Sequence, residues 1–466
     1  MPPVFEEEHP SALAYITQKS INPNSVALIA LALGVGYSLI RALYNLTLHP
    51  LAKFPEPKYA AFICWLTFRG RFVWDVDALH RQYGPVVRIA PNQLSFSGVK
   101  ALKDIHNPKG KANTFIKGPT YQTPDVKPHL VSDPDIDHHA HTRKLFSHAF
   151  SESLVQGHLN GFLRQLHKLG NTNDGLDMSR WFELLTFDII SDLMFGKSFE
   201  SVQTGITHPM VSTILENVIW GTRLAILKRL SPFFTPLLPL LAASQTRKRM
   251  QFLEYTRNAV RSRIKAETDR VDFMTNILKA EELEFFDEDD LLSNAQIILD
   301  SRNFNSFNEI KSKSVGSLPY LNAVIDEGLR IFPPAPLPLE RISPGAVVDG
   351  VYIPESARVA VNCISTSRGH EHFHDPHKFK PERWLEKDCS DIKAASQPFI
   401  MGTRGCIGRN LAYMEMRLVL AKMHFLFDIE YVGKEIDWDE NCRMWTLWKK
   451  PALPIKFTPR KGVNAF

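Results

Sequence analysis

Hydrophobic positions recur with a helical period over most of the chain. Long patterns of this kind fill 151–300, and from Arg247 onward the apolar residues fall on one side of the predicted helix. An apolar stretch at 231–241 contains three prolines, so no regular helix is expected there. Apolar residues at 86–89 and 94–96, separated by a Pro-Asn turn, predict a β-hairpin. The pattern therefore predicts a mainly α protein with a small β portion.

An apolar run lies near the N-terminus. It occupies 25–48, contains Arg41 as its one charged residue, and follows a polar, acidic tail at 1–24. The run predicts a transmembrane anchor, although it reaches the ~20 residues that a bilayer needs only if Arg41 snorkels. Acidic residues precede it and basic residues follow it, which predicts a single pass with the remaining residues, 49–466, as one large cytosolic domain. A buried core helix and a cleaved signal peptide are the alternatives, and the acidic start argues against the second.

Composition narrows the classes of function. The chain has 466 residues, 44% of them hydrophobic, which supports a sizeable core. Its net charge of +5, without a basic run, argues against nucleic-acid binding. The five cysteines are scattered and form no CxxC pair, so neither a disulfide framework nor a zinc site is expected. The large domain is therefore predicted to face a reducing compartment.

One cysteine has surroundings suited to chemistry. Cys406 lies in a loop at 399–409 that contains three glycines, and a helix-forming stretch at 410–427 follows at once. The unpaired N–H groups and the dipole at a helix start favour a thiolate. The glycines at 402, 405 and 408 permit backbone angles closed to other residues and let a flat ligand approach the main chain. Arg404 offers a planar fork to a carboxylate. A buried structural cysteine in a glycine-rich turn is the alternative.

This loop carries a resemblance to a known family. The pattern F-x-x-G-x-R-x-C-x-G, formed by Phe399, Gly402, Arg404, Cys406 and Gly408, resembles the haem-binding loop of the cytochrome P-450 family. The resemblance implies haem b as cofactor, with Cys406 as the axial thiolate ligand of the iron. It also implies that Phe399 packs beside the sulfur, that the glycines lie close to the ring, and that Arg404 meets a propionate.

Three other residues are candidates for the haem propionates. His139 and Arg143 stand four residues apart on a helix predicted at 137–150, so they share a face. The pair resembles the family's aromatic-x-x-x-Arg motif, with histidine in the aromatic place, which implies that both residues point at a propionate. Arg341, after a proline run, is a further candidate. An ordinary exposed basic helix face is the alternative for the pair.

A second motif concerns the scaffold. Glu327 and Arg330 are three residues apart and face each other on a helix predicted at 321–330. Together with Arg383, within 379–384, they resemble the family's Glu-Arg-Arg triad. A buried carboxylate between two guanidiniums is stable only when fully paired. The resemblance implies that the triad locks the scaffold of the cysteine loop and does no chemistry.

A segment expected from the resemblance is missing near 300–305. Family members carry a long helix across the distal haem face with the pattern [AG]-G-x-[DE]-T, whose acid and threonine relay protons to bound dioxygen. The approach to that helix is recognisable at 291–299, but Asp300 and Ser301 follow in the wrong register, so no catalytic residue is assigned. Only 33 positions separate Asn294 from Glu327, which is roughly forty residues too few for the two helices expected there. A mispredicted exon boundary and a truncated protein are the two explanations, and the intact motifs on both sides favour the first.

The resemblance implies a haem-thiolate monooxygenase that uses dioxygen and two electrons to oxidise a lipophilic small molecule, in the manner of fungal enzymes of secondary metabolism. The alternatives are a haem-thiolate isomerase or dehydratase that acts on a peroxide, and a non-catalytic haem-binding relic. The substrate pocket is expected to be lined from 114–121, 208–240, 337–339 and 445–447, which are mostly apolar.

The electrons must come from a separate protein, because no glycine-rich nucleotide motif is apparent. The implied partner is a membrane-bound NADPH–cytochrome P-450 reductase. Four basic residues lie in the cysteine loop or before it in the sequence, namely Arg404, Arg409, Lys378 and Lys380. They could attract the acidic surface of the reductase. A solvated charged surface is the alternative. Together with the anchor, this predicts the endoplasmic reticulum membrane as the location, with the catalytic domain in the cytosol.

Overall fold

The structure is a computed structural model that describes residues 23–57, 69–107, 110, 113–118, 121, 130–146, 152–230, 304 and 306–463, with nine further positions between 247 and 262. The chain divides into two compact units, Met1–Phe54 and Pro55–Phe466. The predicted proline-broken stretch at 231–241 and the predicted interruption at 300–303 lie outside the described residues.

In the first unit, the described residues form helix α1 (Pro23–Thr47) and the turns that follow it. This helix forms where the membrane anchor is predicted, and it exposes large apolar side chains such as Leu33 and Ile40. Within the part of the chain that the structure describes, however, no helix is long and apolar enough to cross a membrane. The predicted transmembrane anchor is therefore not supported by the structure.

The second unit is mainly helical with small sheets, as predicted. Its predicted helices are found with small changes of boundary: 137–150 becomes Ile136–Phe146 within the described residues, 321–330 becomes Pro319–Ile331, and 410–427 becomes Arg409–Leu426. In chain order its elements are α2 (Phe72–Tyr83), β1 (Val86–Ala90), β2 (Gln93–Phe96), α3 (Val99–His106), β3 (Ile116–Lys117), α4 (Ile136–Phe146), α5 (Glu152–Leu169), β4 (Leu176–Asp177), α6 (Met178–Phe195), α7 (Ser201–Thr204), α8 (Pro209–Leu230), α9 (Ser312–Gly316), α10 (Pro319–Ile331), β5 (Arg341–Val348), β6 (Val351–Val361), α11 (Cys363–Arg368), α12 (Glu382–Leu385), α13 (Arg409–Leu426), β7 (Phe427–Tyr431), α14 (Trp438–Asn441), β8 (Arg443–Met444), β9 (Trp448–Lys449) and β10 (Pro454–Pro459).

The largest described sheet has five strands in the order β1-β2-β6-β5-β3. The predicted hairpin is confirmed, since β1 and β2 pair antiparallel with Val86 opposite Phe96. Strand β6 then joins β2 in parallel, with 358–361 beside 93–96, and pairs antiparallel with β5. This sheet therefore ties an early part of the second unit to a late part.

The main hydrophobic core lies among helices α5, α6, α10 and α13. Each helix contributes side chains that are almost fully buried, such as Phe162 from α5, Leu193 from α6 and Leu321 from α10. Helix α13 contributes Leu418 and the residues that follow it. Burial of such side chains contributes roughly 1.5–3 kcal/mol each, so α13, which directly follows the cysteine loop, is anchored in the hydrophobic core.

Candidate functional site

The cysteine loop is folded back on itself immediately before α13. A single turn of 3₁₀-helix at Gly402–Arg404 forms the bend, and the backbone N–H of Cys406 donates to the carbonyl of Phe399 at 2.8 Å. Helix α13 begins at Arg409, three residues after the cysteine. The predicted arrangement, a cysteine just ahead of a helix N-terminus, is therefore found.

The three glycines of the loop do not share one backbone requirement, contrary to the sequence expectation. Gly402 has φ +76°, in the left-handed region, and a Cβ added there would lie 2.2 Å from the carbonyl oxygen of His106 at the end of α3. Gly405 and Gly408 have φ values of −62° and −79°, which other residues adopt readily. At Gly405 the constraint is space, because a Cβ would lie 3.1 Å from the carbonyl oxygen of Ile400.

A cavity of about 420 Å³ lies over the cysteine loop. Most of the predicted site residues meet in its wall, namely Phe399, Arg404, Cys406, Gly408, His139, Arg143 and Arg341. Gly402 does not line the cavity, and its observed role is to let the loop pass close to α3.

The apolar wall comes largely from helices that were predicted as helices but not as part of the cavity. Leu185 and Ile189 of α6 and Leu159 of α5 line the cavity, as do Leu411 and Val419 of α13. Periodicity marks the apolar faces of these helices but does not say which face meets a ligand. Of the predicted substrate-lining regions, 114–121 and 337–339 contribute, whereas the described residues of 208–240 and 445–447 do not line this cavity.

Five basic side chains border the cavity, and we call them the basic rim: Lys117, His139, Arg143, Arg341 and Arg404. Four were predicted, and Lys117 was missed because it lies in a short strand without a recognisable motif. Its Nζ donates to the carbonyl of Leu130 at 2.6 Å. The positive charges that this rim carries, on buried or partly buried side chains, are unfavourable unless an anion balances them.

The rim alters the ionisation of its own members. Burial, reinforced by Arg404 and Arg341 and opposed by Asp133, lowers the pKa of Lys117 to about 7. Burial, with Arg404, Lys117 and Arg143, likewise lowers the pKa of His139 to about 3. His139 is therefore neutral near pH 7 and acts as a hydrogen-bonding group, not as a cation.

The arginines of the rim also join the surrounding elements. Arg143 donates from Nη1 to the carbonyl of Gly405 at 2.5 Å, which connects α4 to the cysteine loop. Arg341 donates from Nη1 to the hydroxyl of Tyr121 at 3.3 Å and to the carbonyl of Glu340 at 3.0 Å. Its guanidinium also lies over the Tyr121 ring, 5.6 Å from the centroid.

Arg404 has backbone partners that were not predicted, and its contact with a haem propionate stays a prediction. Its two Nη atoms donate to the backbone carbonyls of Asp133, Pro134 and Asp135 at 2.9, 3.2 and 3.0 Å. The planar fork predicted for a carboxylate thus holds the segment that leads into α4. Arg404 still lines the cavity, so it contributes positive charge there.

The predicted Glu-Arg-Arg triad is formed and is completely buried. Glu327 and Arg330 have no exposed surface, and Arg383 retains 1%. Arg330 contacts both oxygens of Glu327, from Nε to Oε2 and from Nη2 to Oε1, each at 2.8 Å. Arg383 donates from Nε to Oε1 at 3.0 Å. Because every ion has its counter-ion, the group stabilises the junction of α10 and α12.

Two members of this network were not predicted. Trp384 donates its indole N–H to Oε2 of Glu327 at 2.9 Å, and Asp391 pairs with Arg383. Burial alone would lower the pKa of Arg383, but the carboxylates of Glu327 and Asp391 outweigh it and raise the pKa. The sequence indicated Trp384 as a member of this network only through its position directly after Arg383.

Comparison with known proteins agrees with this geometry. The family model described as Cytochrome P450 matches residues 54–304 and 295–457. The chain belongs to the cytochrome P-450 family. Members of this family bind haem b through a cysteine thiolate, so haem b is the cofactor that the family implies here.

Similar proteins include three fungal cytochrome P-450 monooxygenases. One from Penicillium roqueforti is 34% identical over 89% of this chain and 90% of its own length. One from Botryotinia fuckeliana is 34% identical, with 89% and 88% covered, and one from Aspergillus oryzae is 30% identical, with 91% and 96% covered. The chain therefore resembles these cytochromes P-450 over almost its whole length.

The alignments also leave residues of the relatives without a counterpart. The Penicillium alignment spans 460 positions, whereas 89% of this chain is only about 415 residues, so about 45 positions have no residue of this chain. The family model matches in two segments that overlap at 295–304, where the sequence predicts the missing segment.

The residues around the cavity fit haem b. The ring needs apolar walls, which α5, α6 and α13 supply, and its two carboxylates need positive groups, which the basic rim supplies. The iron needs a soft axial ligand, and Cys406 lies in the same wall. Burial, reinforced by repulsion from Arg404 and Arg341, lowers the pKa of Lys117, and an anionic group at the rim would relieve that repulsion.

Proposed function

We propose that the protein is a haem-thiolate monooxygenase that oxidises a lipophilic small molecule, with Cys406 as the ligand of the haem iron. The observation that carries the proposal is the meeting of Cys406, the apolar walls and the basic rim in one cavity. When bound, the haem supplies the activation of dioxygen and the transfer of one oxygen atom to the substrate.

The chain's own residues bind, orient and shield. Cys406 is held in place by the hydrogen bond from its N–H to Phe399 and by the helix start behind it. Arg143, Arg341 and Lys117 would hold the haem carboxylates, and His139 would add a neutral hydrogen-bonding group. The leucine and isoleucine side chains of α5 and α6 would offer an apolar surface to the haem ring and to a lipophilic substrate.

The class of substrate is proposed from the similar proteins and from the lining of the cavity. The similar proteins are fungal monooxygenases, and the cavity wall is predominantly apolar. We therefore propose a lipophilic intermediate of a fungal secondary-metabolite pathway. Comparison of metabolite extracts with and without the gene tests this, and identical extracts would contradict it.

The electrons are proposed to come from an NADPH–cytochrome P-450 reductase. Arg409 is exposed at the start of α13, and Lys378 is exposed before α12, where it pairs with Asp375 at 3.0 Å. Such positive groups support attraction of an acidic partner surface. Charge reversal at Lys378 and Arg409 should slow reduction by the reductase while leaving reduction by dithionite unchanged.

We propose the endoplasmic reticulum membrane as the location. The apolar side chains that α1 exposes support membrane attachment. Fractionation of cells that express the full chain and a chain lacking residues 1–48 tests the proposal. Recovery of the full chain in the soluble fraction would contradict it.

The decisive experiment compares the protein with its Cys406→Ser variant. The reduced carbon monoxide complex should show the red-shifted Soret band of a thiolate-bound haem, and the variant should lose it. Cys389→Ser, which changes a partly exposed cysteine outside the cavity, is the matched control. Survival of the band in Cys406→Ser would exclude Cys406 as the ligand.

Addition of NADPH and the reductase then separates the classes of activity. Turnover that requires both supports the monooxygenase, whereas turnover on an organic hydroperoxide alone supports an isomerase or dehydratase. Haem binding without either kind of turnover, in the 466-residue chain and also in a chain that carries the missing segment, supports a non-catalytic haem protein.

A further inference from the structure

A tyrosine one turn into α13 links the cysteine loop to the helix that carries the triad. The hydroxyl of Tyr413 donates to Oδ1 of Asp326 at 2.7 Å, and Asp326 directly precedes Glu327 on α10. The Tyr413 ring lies against Phe399, with centroids 5.4 Å apart and planes inclined by 43°. One side chain therefore contacts both the triad helix and the residue whose carbonyl accepts the Cys406 N–H.

Two arginines fix the Tyr413 ring on its own helix. The guanidinium carbons of Arg409 and Arg417 lie 5.8 and 4.9 Å from the ring centroid, four residues before and four after it. Arg417 is itself held, because its Nε donates to Oδ1 of Asn322 on α10 at 2.7 Å. These contacts restrict the orientation of the Tyr413 ring, in addition to its contact with Phe399.

The hydrogen bond to Asp326 sits in a partly buried position where its loss would be costly. Burial raises the pKa of Asp326, although the bond from Tyr413 and the charges of Arg417 and Arg409 oppose this. A partly buried carboxylate that loses its donor keeps its desolvation cost without the compensating bond. Asp326 and Tyr413 therefore stabilise each other's position.

We propose that Tyr413 is a positioning residue: held by Asp326, its ring supports Phe399 and thereby fixes the backbone that places the Cys406 sulfur. The effect of this positioning on haem binding rests on the proposed function, in which Cys406 is the haem ligand. The mechanical link itself is a property of the chain with or without that chemistry.

Hydrogen–deuterium exchange of the full-length protein tests the link. In Tyr413→Ala, peptides that cover 399–408 should exchange at least about fivefold faster, because the ring that supports Phe399 is lost. Tyr413→Phe and Asp326→Ala, which keep the ring and remove one hydrogen bond, should give a smaller increase of about two- to fivefold. Peptides from the β5–β6 hairpin should change less than about twofold, since the link does not reach them.

A matched control removes a similar bond elsewhere on α10. The hydroxyl of Tyr320 donates to Glu382 at 3.2 Å, and neither residue lines the cavity. Tyr320→Phe should leave exchange at 399–408 unchanged. An equal effect of Tyr320→Phe, or a parallel rise in the β5–β6 hairpin, would show general loosening and overturn the proposal.

Double variants test the route. If Tyr413 acts through Phe399, Tyr413→Ala should add nothing at 403–408 once Phe399→Ala is present, and Tyr413→Phe should add nothing to Asp326→Ala. Additive effects would overturn the proposal.

The Soret band of the reduced carbon monoxide complex gives a second readout. Tyr413→Ala should lower the thiolate-bound fraction and Tyr413→Phe should largely restore it. A thiolate fraction in Tyr413→Ala equal to that of the wild type would overturn the positioning role. If the wild type shows no such band, the proposed haem chemistry fails, while the exchange experiment still decides whether the link exists.

Discussion

At the scale of single residues, Gly402 is a position in the cysteine loop where backbone conformation and space both require glycine. Its φ of +76° and the 2.2 Å approach to the His106 carbonyl combine two separate constraints. The left-handed conformation alone costs a non-glycine residue ~1–2 kcal/mol, and the clash adds to this. A substitution here should therefore move the loop away from α3.

We expect Gly402→Ala to lower the free energy of unfolding by more than about 1 kcal/mol. Gly157→Ala is the control, because Gly157 lies within α5 with nothing within 4 Å of the added Cβ. That change should stabilise the protein by roughly 0.5–1 kcal/mol. Urea unfolding of both variants measures the difference, and equal midpoints would contradict the argument.

Lys117 should make the stability of the haem-free protein depend on pH. Its folded-state pKa of about 7 lies below its ordinary value of 10.5, so protonation of this lysine opposes folding. The penalty is complete below pH 7 and disappears as the pH rises from about 7 to 10.5. Lys117→Met removes the penalty, so its stability relative to the wild type should be most favourable at pH 6 and decline towards pH 10.

Urea unfolding at pH 6, 8 and 10 measures this change. Lys100→Met provides the matched control, because Lys100 carries the same charge on the exposed surface of α3. Parallel stability curves for the wild type and Lys117→Met would rule out the depressed pKa.

For single residues, the sequence could predict which ones belong to the site but not which other residues they contact. Cys406, Arg143 and Arg341 could be predicted because a motif or a helical period places them. The contacts of Arg404 could not, because they depend on where 133–135 passes, which no local pattern specifies. Lys117 was missed for the same reason, since only the folded chain brings it beside Arg404 and Arg341.

At the scale of elements, the junction of α10 and α12 depends on one carboxylate. Glu327 accepts hydrogen bonds from Arg330, Arg383 and Trp384, and from the backbone N–H of Lys380 at 2.8 Å. The i, i+3 spacing on α10 predicted the first of these contacts. The others depend on how the short α12 turns towards α10, which is a tertiary arrangement and not a local one.

We expect Glu327→Gln to lower the free energy of unfolding by ~3–5 kcal/mol, because two buried guanidiniums then share a neutral partner. Glu386→Gln, which changes an exposed residue just after α12, should alter it by less than about 0.5 kcal/mol. Chemical denaturation of both variants compares the two sites. A mild effect of Glu327→Gln would mean that Asp391 compensates for the lost charge.

At the scale of the whole molecule, the basic rim is assembled from residues on both sides of 263–303, whereas the cysteine loop and the triad both follow that segment. The family model matches in two parts that overlap at 295–304, and the relatives have positions without a residue of this chain. That a segment is missing near 300–305 stays a prediction. We expect the 466-residue chain to bind haem poorly and to show little NADPH-dependent turnover, since water would reach the distal face.

Sequencing of the transcript across 299–305 tests the cause. We expect it to encode about 40 further residues, the length needed for the two helices, and the longer protein should give a stronger thiolate Soret band. A transcript that matches the present chain would exclude an exon error. Robust turnover by the 466-residue protein would show that the segment is dispensable.

The parallel pairing of β2 with β6 means that β2 cannot complete its sheet until late in translation. Asn92, beside β2, bonds to the carbonyl of Ser356, 264 residues later. At roughly 5–20 residues per second, the ribosome needs ~13–53 s to supply that partner. Throughout this interval the β1–β2 hairpin presents the edge of a strand whose four residues are all buried in the finished protein, which invites aggregation. The nascent chain should therefore depend on chaperones until β6 emerges, and Cys406, synthesised later still, can receive its cofactor only when translation is almost complete.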